Sequence, residues 1–208
     1  MRNPLLQYVG VPVSSSDLSM CCTHLRSPEK KIQMWEKQGY LLRLKRDLYI
    51  VNPEYFDKPI DTRLCANHLY GPSYVSVQWA LRYYGMIPEL VHMMTSVTTK
   101  RTCLFSTPLG YFRYMHVRPS YFPIGVDYFY ENGVGFMMAT REKALCDTIL
   151  YDRYVPNKSV RSLLIYLEED MRLDMDVLPE LDTEIIEACA ETGCKTQILK
   201  NLIKIIKQ

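Results

Sequence analysis

The sequence predicts an α+β chain: an N-terminal winged helix-turn-helix followed by a mixed domain with an antiparallel sheet and covering helices. Three observations carry that expectation. Helix start and stop signals crowd the first forty residues and give way to two short apolar runs that meet at Lys45-Arg46-Asp47. Five aromatic-rich runs of strand length then lie between Leu90 and Met138, and helical patterning returns at Thr140. The polar, proline-containing stretch Pro53 to Asp61 separates the two regimes, so the expected domains are 1–58 and 59–208.

Within the first domain, Asn3 and Pro4 read as the cap and first residue of a short helix ending near Tyr8. Ser16 is placed to cap a second helix, "DLSMCCTHL", in which Leu18, Cys21, Cys22 and Leu25 recur at helical spacing. The third helix is marked most cleanly: Ser27 at the cap, Pro28 at the first position, Glu29 in the first turn, and Gly39 as the stop. Ile32 and Trp35 share one face, while Lys30, Gln33 and Lys37 share another. "YLLRLKRDLYIVNP" then reads as a hairpin with a basic tip. Three helices followed by such a hairpin is the order in which the third helix enters the major groove and the wing touches phosphates. The expected DNA contacts are Ser27, Lys30, Lys31, Gln33, Met34 and Lys37 on the helix, and Arg43, Lys45 and Arg46 on the wing.

Charge is distributed to match. The chain carries a net charge of only +2, yet residues 26 to 46 hold seven basic and two acidic side chains. Residues 168 to 191 hold ten acids and the single base Arg172, and residues 195 to 208 hold four lysines and no acid. One end suits an anionic partner, and the acidic belt would repel it.

Beyond Asp61, "DTRLCANHLYGP" reads as a helix capped by Asp61 and stopped at Gly71-Pro72. "YVSVQWALRYYGMIPE" repeats that design with Ser76 as cap, Val77, Ala80, Leu81 and Tyr84 inward, and Gly85 as stop. "LVHMMTSV", "TCLFST", "YFRYMHV", "VDYFY" and "VGFMM" predict a meander of antiparallel strands. Helices follow at Thr140 to about Tyr154, Ser159 to Met171, about Thr183 to Thr192, and Thr196 to Lys207.

Composition and motifs exclude several function classes. Of 208 residues, 48% are hydrophobic and 23% charged, which is ordinary for a protein with a packed core. No apolar run approaches the ~20 residues of a membrane span, and "MRNPLLQYVGVPVSSS" is too weakly hydrophobic for a signal peptide, so a cytoplasmic location is expected. Seven cysteines without any C-x-x-C pair predict reduced, half-buried thiols. His24, His68, His92 and His116 never fall at metal-ligand spacing, so no metal or other cofactor is expected. No G-x-S-x-G elbow occurs, and "TGCKT" lacks the upstream glycine and preceding strand of a phosphate-binding loop. Asp174 and Asp176 lack the Gly-Ser turn of a nucleotidyltransferase and sit in a broadly acidic run. The hydroxyl-rich stretch "TSVTTKRTCLFSTPLGYFRYMHV" has no general base or organising carboxylate, so it predicts a half-exposed strand whose Lys100-Arg101 tip binds phosphate or an acidic surface. A non-enzymatic protein is expected.

Taken together, "LLRLKRDLYIVNP", "LYGPSYVSVQWALRYYGMIPE", the hydroxyl-rich stretch and "ATREKALCD" resemble the AbiEi-type antitoxins of bacterial abortive-infection, type IV toxin-antitoxin systems. The resemblance covers roughly residues 16 to 155. It implies a transcriptional autorepressor with a winged-helix DNA-binding domain and a C-terminal antitoxin domain. The implied partners are the operator DNA of its own operon and a separate nucleotidyltransferase toxin of the AbiEii kind, with no membrane partner. It differs at the wing, where Asp47 stands in place of the family's glycine, and no motif matches after Asp152. By position, Tyr74, Ser76, Thr98, Lys100, Arg101, Arg141, Glu142 and Lys143 match the second-domain motifs and are expected to form a polar surface for toxin neutralisation or nucleic-acid contact. A second reading is a stand-alone winged-helix regulator whose C-terminal domain binds another partner or ligand.

Overall fold

The structure is a computed structural model and describes residues 3–23, 25–156 and 159–207. Asn3 caps a 3-10 turn, Pro4–Tyr8, accepting from the Leu5 N–H at 3.1 Å. Strand β1 (Val13–Ser14), helices α1 (Ser15–Met20) and α2 (Pro28–Lys37), and the hairpin of β2 (Leu41–Lys45) and β3 (Leu48–Val51) follow. The three strands pair in the order β1-β3-β2.

The cap of α1 is Ser14, not Ser16. Pairing of Ser14 with Leu48 holds it extended, and its hydroxyl oxygen accepts from the Asp17 N–H at 3.1 Å. The helix also ends earlier than its periodicity predicts, at Met20; His24, part of that reading, lies outside the described residues. Helix α2 occupies its expected span and buries Ile32 and Trp35, but the Ser27 hydroxyl makes no capping bond. Gly39 at φ +79° ends it, a conformation that glycine adopts without Cβ strain. At the hairpin tip Asp47 takes φ +61°, the left-handed position a glycine would fill most cheaply.

Both faces of this small sheet are covered, which explains why "LYIV" is apolar throughout instead of alternating. Leu41, Tyr49 and Val51 face a core with Leu18, Ile32 and Trp35. Leu44 and Ile50, on the other face, belong to the larger core of the second unit, at 3% and 0% exposure. The hairpin is therefore the joint between two cores as well as the tip of the first.

The second unit contains α3 (Thr62–Leu69), β4 (Ser73–Val75), α4 (Val77–Tyr83), β5 (Met94–Thr98), β6 (Cys103–Thr107), β7 (Gly110–His116), β8 (Val126–Glu131) and β9 (Val134–Ala139). Helix α5 (Arg141–Tyr151) and α6 (Val160–Ile165) follow, α6 continuing as a π turn over Tyr166–Asp170. A 3-10 segment (Met175–Glu180), α7 (Thr183–Glu191) and α8 (Thr196–Ile206) complete it. Asp61 caps α3 as expected, its carboxylate accepting from the N–H groups of Arg63 at 2.8 Å and Leu64 at 3.4 Å.

The sheet corrects the predicted meander. Its order is β6-β7-β5-β4-β9-β8, with β5 parallel to β7 and β4 parallel to β9. The short strand β4 was hidden inside a segment that reads as a helix start. Fully buried, it inserts between β5 and β9, so each neighbouring run must find its partner further along the chain. Helix α3 packs against one face and α5 against the other; residues Glu142 to Ile149 of α5 are all buried. Among the described residues no helix is long and apolar enough to cross a membrane. All seven cysteines are free thiols.

Candidate nucleic-acid interface

Helix α2 presents Lys30, Gln33, Met34 and Lys37 to solvent, the side opposite Ile32 and Trp35. Lys30, Met34 and Lys37 fall at i, i+4 and i+7 and so form one stripe. Lys31 lies across the flank, its ammonium 5.3 Å from the Trp35 ring centre, and Ser27 is half-buried at the helix start. Toward the hairpin the surface changes sign. A cleft of about 430 Å³ between α1, α2 and the β2–β3 hairpin is lined by Glu29, Gln33, Glu36, Arg43 and Asp47. Three carboxylates around one guanidinium give that cleft a negative character, and the exposed basic side chains outside it include those of the Lys30–Lys37 stripe and Arg46 at the hairpin tip.

On the β2–β3 hairpin, Arg46 is open to solvent and lies 3.5 Å from Asp47, while Arg43 is exposed and bonds the Lys45 carbonyl at 3.4 Å. Lys45 has another task. Its ammonium donates to the Leu69 carbonyl at 2.5 Å, at the end of α3. Burial, with Lys100 nearby, holds its pKa below the ordinary lysine value. Expected as a phosphate contact, Lys45 instead ties the β2–β3 hairpin to α3.

The second-domain residues divide sharply. Tyr74, Ser76, Thr98, Glu142 and Lys143 are buried, so they do not form the expected surface. The reason is the packing: β4 and β5 are central strands, and Glu142 and Lys143 begin the fully buried stretch of α5. Lys100 and Arg101 are exposed, but on a link from β5 across β7 to the outermost strand β6, not on a hairpin tip. The Lys100 ammonium bonds the Gly71 carbonyl and sits 5.1 Å from the Tyr70 ring centre. Thr98 donates to the Pro72 carbonyl at 2.7 Å. These two side chains staple the β5–β6 link to the turn before β4. Arg141, half-exposed, pairs with Glu180 at 3.0 Å and not with Glu142, which accepts from the Asp182 N–H at 3.2 Å.

Two of the buried members, Ser76 and Lys143, converge on Asp147, a residue not singled out from sequence although it closes the "ATREKALCD" motif. Ser76 is at the first cap position of α4, yet its hydroxyl makes no capping bond and donates to Asp147 Oδ2 at 2.6 Å. Lys143 Nζ lies 3.6 Å from Asp147 Oδ1, donates to the Tyr121 carbonyl at 2.8 Å and stands 3.2 Å from the Tyr121 ring centre. Burial holds the Asp147 carboxyl above the ordinary carboxylate range, against the opposing pulls of Lys143 and Ser76. Tyr74 and Tyr121 are pushed well above the ordinary tyrosine value, chiefly by burial. A hydroxyl, a carboxylate and an ammonium in contact invite comparison with a nucleophile site. Ser76, Lys143 and Asp147 are each 0% exposed, however, and the enclosed cluster joins the start of α4 to α5. The sequence signal for it was the i, i+4 spacing of Lys143 and Asp147 inside an apolar helix, which is costly unless paired.

Comparison of the chain with protein-family models and with curated proteins returns no match.

Proposed function

We propose that this chain is a non-enzymatic, cytoplasmic DNA-binding antitoxin and transcriptional autorepressor that counteracts a separately encoded nucleotidyltransferase toxin. The observation that carries the DNA-binding half is the order of the first unit: 3-10 turn, β1, α1, α2, β2, β3, with strands arranged β1-β3-β2. That order supports a winged-helix reading, in which α2 is the recognition helix and the Arg46–Asp47 turn the wing tip. In this reading the Lys30, Met34, Lys37 stripe enters the major groove, and Arg46 meets a backbone phosphate. The antitoxin half is supported by the ordered motifs that resemble the AbiEi-type family. Operator DNA and the toxin are the partners.

The reading is tested in cells carrying the toxin and a reporter driven by the chain's own upstream DNA. Full-length protein in which Lys30, Lys37 and Arg46 are all replaced by alanine is expected to lose repression while still rescuing growth. Loss of both by a folded variant would sink the division of labour. Point variants are preferable to truncation at residue 58, because truncation would expose Leu44 and Ile50. The acidic cleft beside α2 favours one alternative use of the same fold, capture of a basic protein segment. Unchanged repression by the triple variant would point to it.

A further inference from the structure

We infer that the second unit carries a binding site for a nucleoside 5′-phosphate, in a trough between the N-terminal end of α4, the face of β7 that carries Arg113 and Met115, and the segment that follows α5. The inference is independent of DNA binding by the first unit.

The trough is formed by two adjoining clefts of about 480 and 450 Å³, each of the size that holds a small ligand. They share Gln78, Thr148, Asp152 and Tyr154, so they lie side by side. Its two ends have opposite charge. Arg113 of β7 and Arg153 line the first end, and among the described residues neither guanidinium pairs with a carboxylate. Glu89 and Asp170 line the other, with Asp152 between. Glu89 has one arm in an ion pair with Arg172 at 3.2 Å, while its second oxygen, Oε2, is buried without a hydrogen-bond partner.

The chemistry of the lining selects the ligand. Two guanidiniums lining the same cleft suit a phosphate, which accepts from the planar fork of each. Tyr154 stands 90% exposed at the shared centre, an aromatic surface on which a base can stack. Carboxylates at the far end accept hydrogen bonds from the N–H groups of a base edge. Asp152 is held for this by its neighbours: Oδ1 accepts from the Tyr154 N–H at 2.8 Å, and Oδ2 accepts from the Tyr166 hydroxyl. A polyanion lacking such donors would be repelled by Glu89 and Asp170.

Calorimetric titration of the full-length protein tests the site with GMP, AMP, CMP, UMP, inorganic phosphate and a single-stranded tetranucleotide as probes. At least one mononucleotide is expected to bind more tightly than inorganic phosphate and than the tetranucleotide. Arg113→Gln and Arg153→Gln should each weaken it about tenfold, the loss of one charge-assisted contact. Asp170→Asn should narrow the differences among the four bases. Absence of binding by all four mononucleotides would overturn the inference. So would equal affinity for inorganic phosphate, tighter binding of the tetranucleotide, or unchanged affinity in both arginine variants.

Discussion

Lys143 and Asp147 face each other one turn apart on α5, Nζ to Oδ1 3.6 Å, with both side chains completely buried. Such a pair is held in place by its surroundings: Ser76 donates to the carboxylate, and the Tyr121 carbonyl receives the ammonium. Removing one partner leaves the other charge buried without compensation. We predict that Lys143→Met costs about 3–5 kcal/mol in urea unfolding, and that adding Asp147→Leu recovers most of that loss. Additive costs in the double variant would show that the two side chains act independently.

The two buried-side carboxylates, Asp61 and Asp147, are predicted to respond to pH with opposite sign. At Asp61 burial opposes ionisation, but the Arg63 side chain and the N–H groups of Arg63 and Leu64 outweigh it, so its pKa lies below the ordinary value. Its contribution is present above the unfolded value and is lost as pH falls through the folded one. Asp147 lies above the ordinary value, so its contribution is full below the unfolded value and declines as pH rises through the folded one. Urea midpoints between neutral and acid pH should therefore show the deficit of Asp61→Asn shrinking toward acid. The deficit of Asp147→Asn should grow in the same direction. Parallel profiles for the two variants would contradict the assignments.

Lys45 and Arg46 are neighbours with different predicted roles. Arg46→Ala should flatten the log-log salt dependence of DNA affinity by about 0.9, the signature of one lost phosphate contact. Lys45→Ala should leave the slope unchanged and instead lower stability, since its ammonium bonds the Leu69 carbonyl. A salt slope that falls for Lys45→Ala would return that side chain to the interface.

Gly125 is predicted to be intolerant of any side chain. It sits at φ +59°, and a Cβ there would lie 2.8 Å from Ile185 Cγ2 and 2.9 Å from Lys143 Cβ. Conformational strain and overpacking together place the cost of Gly125→Ala at about 2–4 kcal/mol. Gly133 has φ +77° and open space around it, so Gly133→Ala should cost less by thermal or urea unfolding. Equal costs would mean that α5 and α7 adjust freely around the Gly125 turn.

Local signals were legible where a single residue sets them. Asn3 and Asp61 each cap the element expected of them, and Gly39 and Gly85 adopt the positive φ that ends α2 and follows α4. Strand pairing was not legible, because the order depends on β4, whose three residues carry no periodicity of their own. The same central placement explains why Tyr74 and Ser76, polar and motif-borne, are core residues. Asp147 escaped notice since a lone carboxylate within "KALCDTIL" shows its meaning only when β4 brings Ser76 against it. Lys45 looked like every other basic residue of the wing, and only the docking of the wing on α3 separates it from Arg46.

The central claim is that α2 and the wing read DNA. It is tested most directly by an anisotropy titration of the full-length protein against the DNA upstream of its own gene and against an unrelated duplex, across a salt series. The account predicts preference for the upstream DNA, affinity that falls steeply with salt, and a shallower slope once Lys30, Lys37 and Arg46 are replaced by alanine. Equal affinity for the two duplexes at every salt concentration, or a slope untouched by the three substitutions, would contradict it.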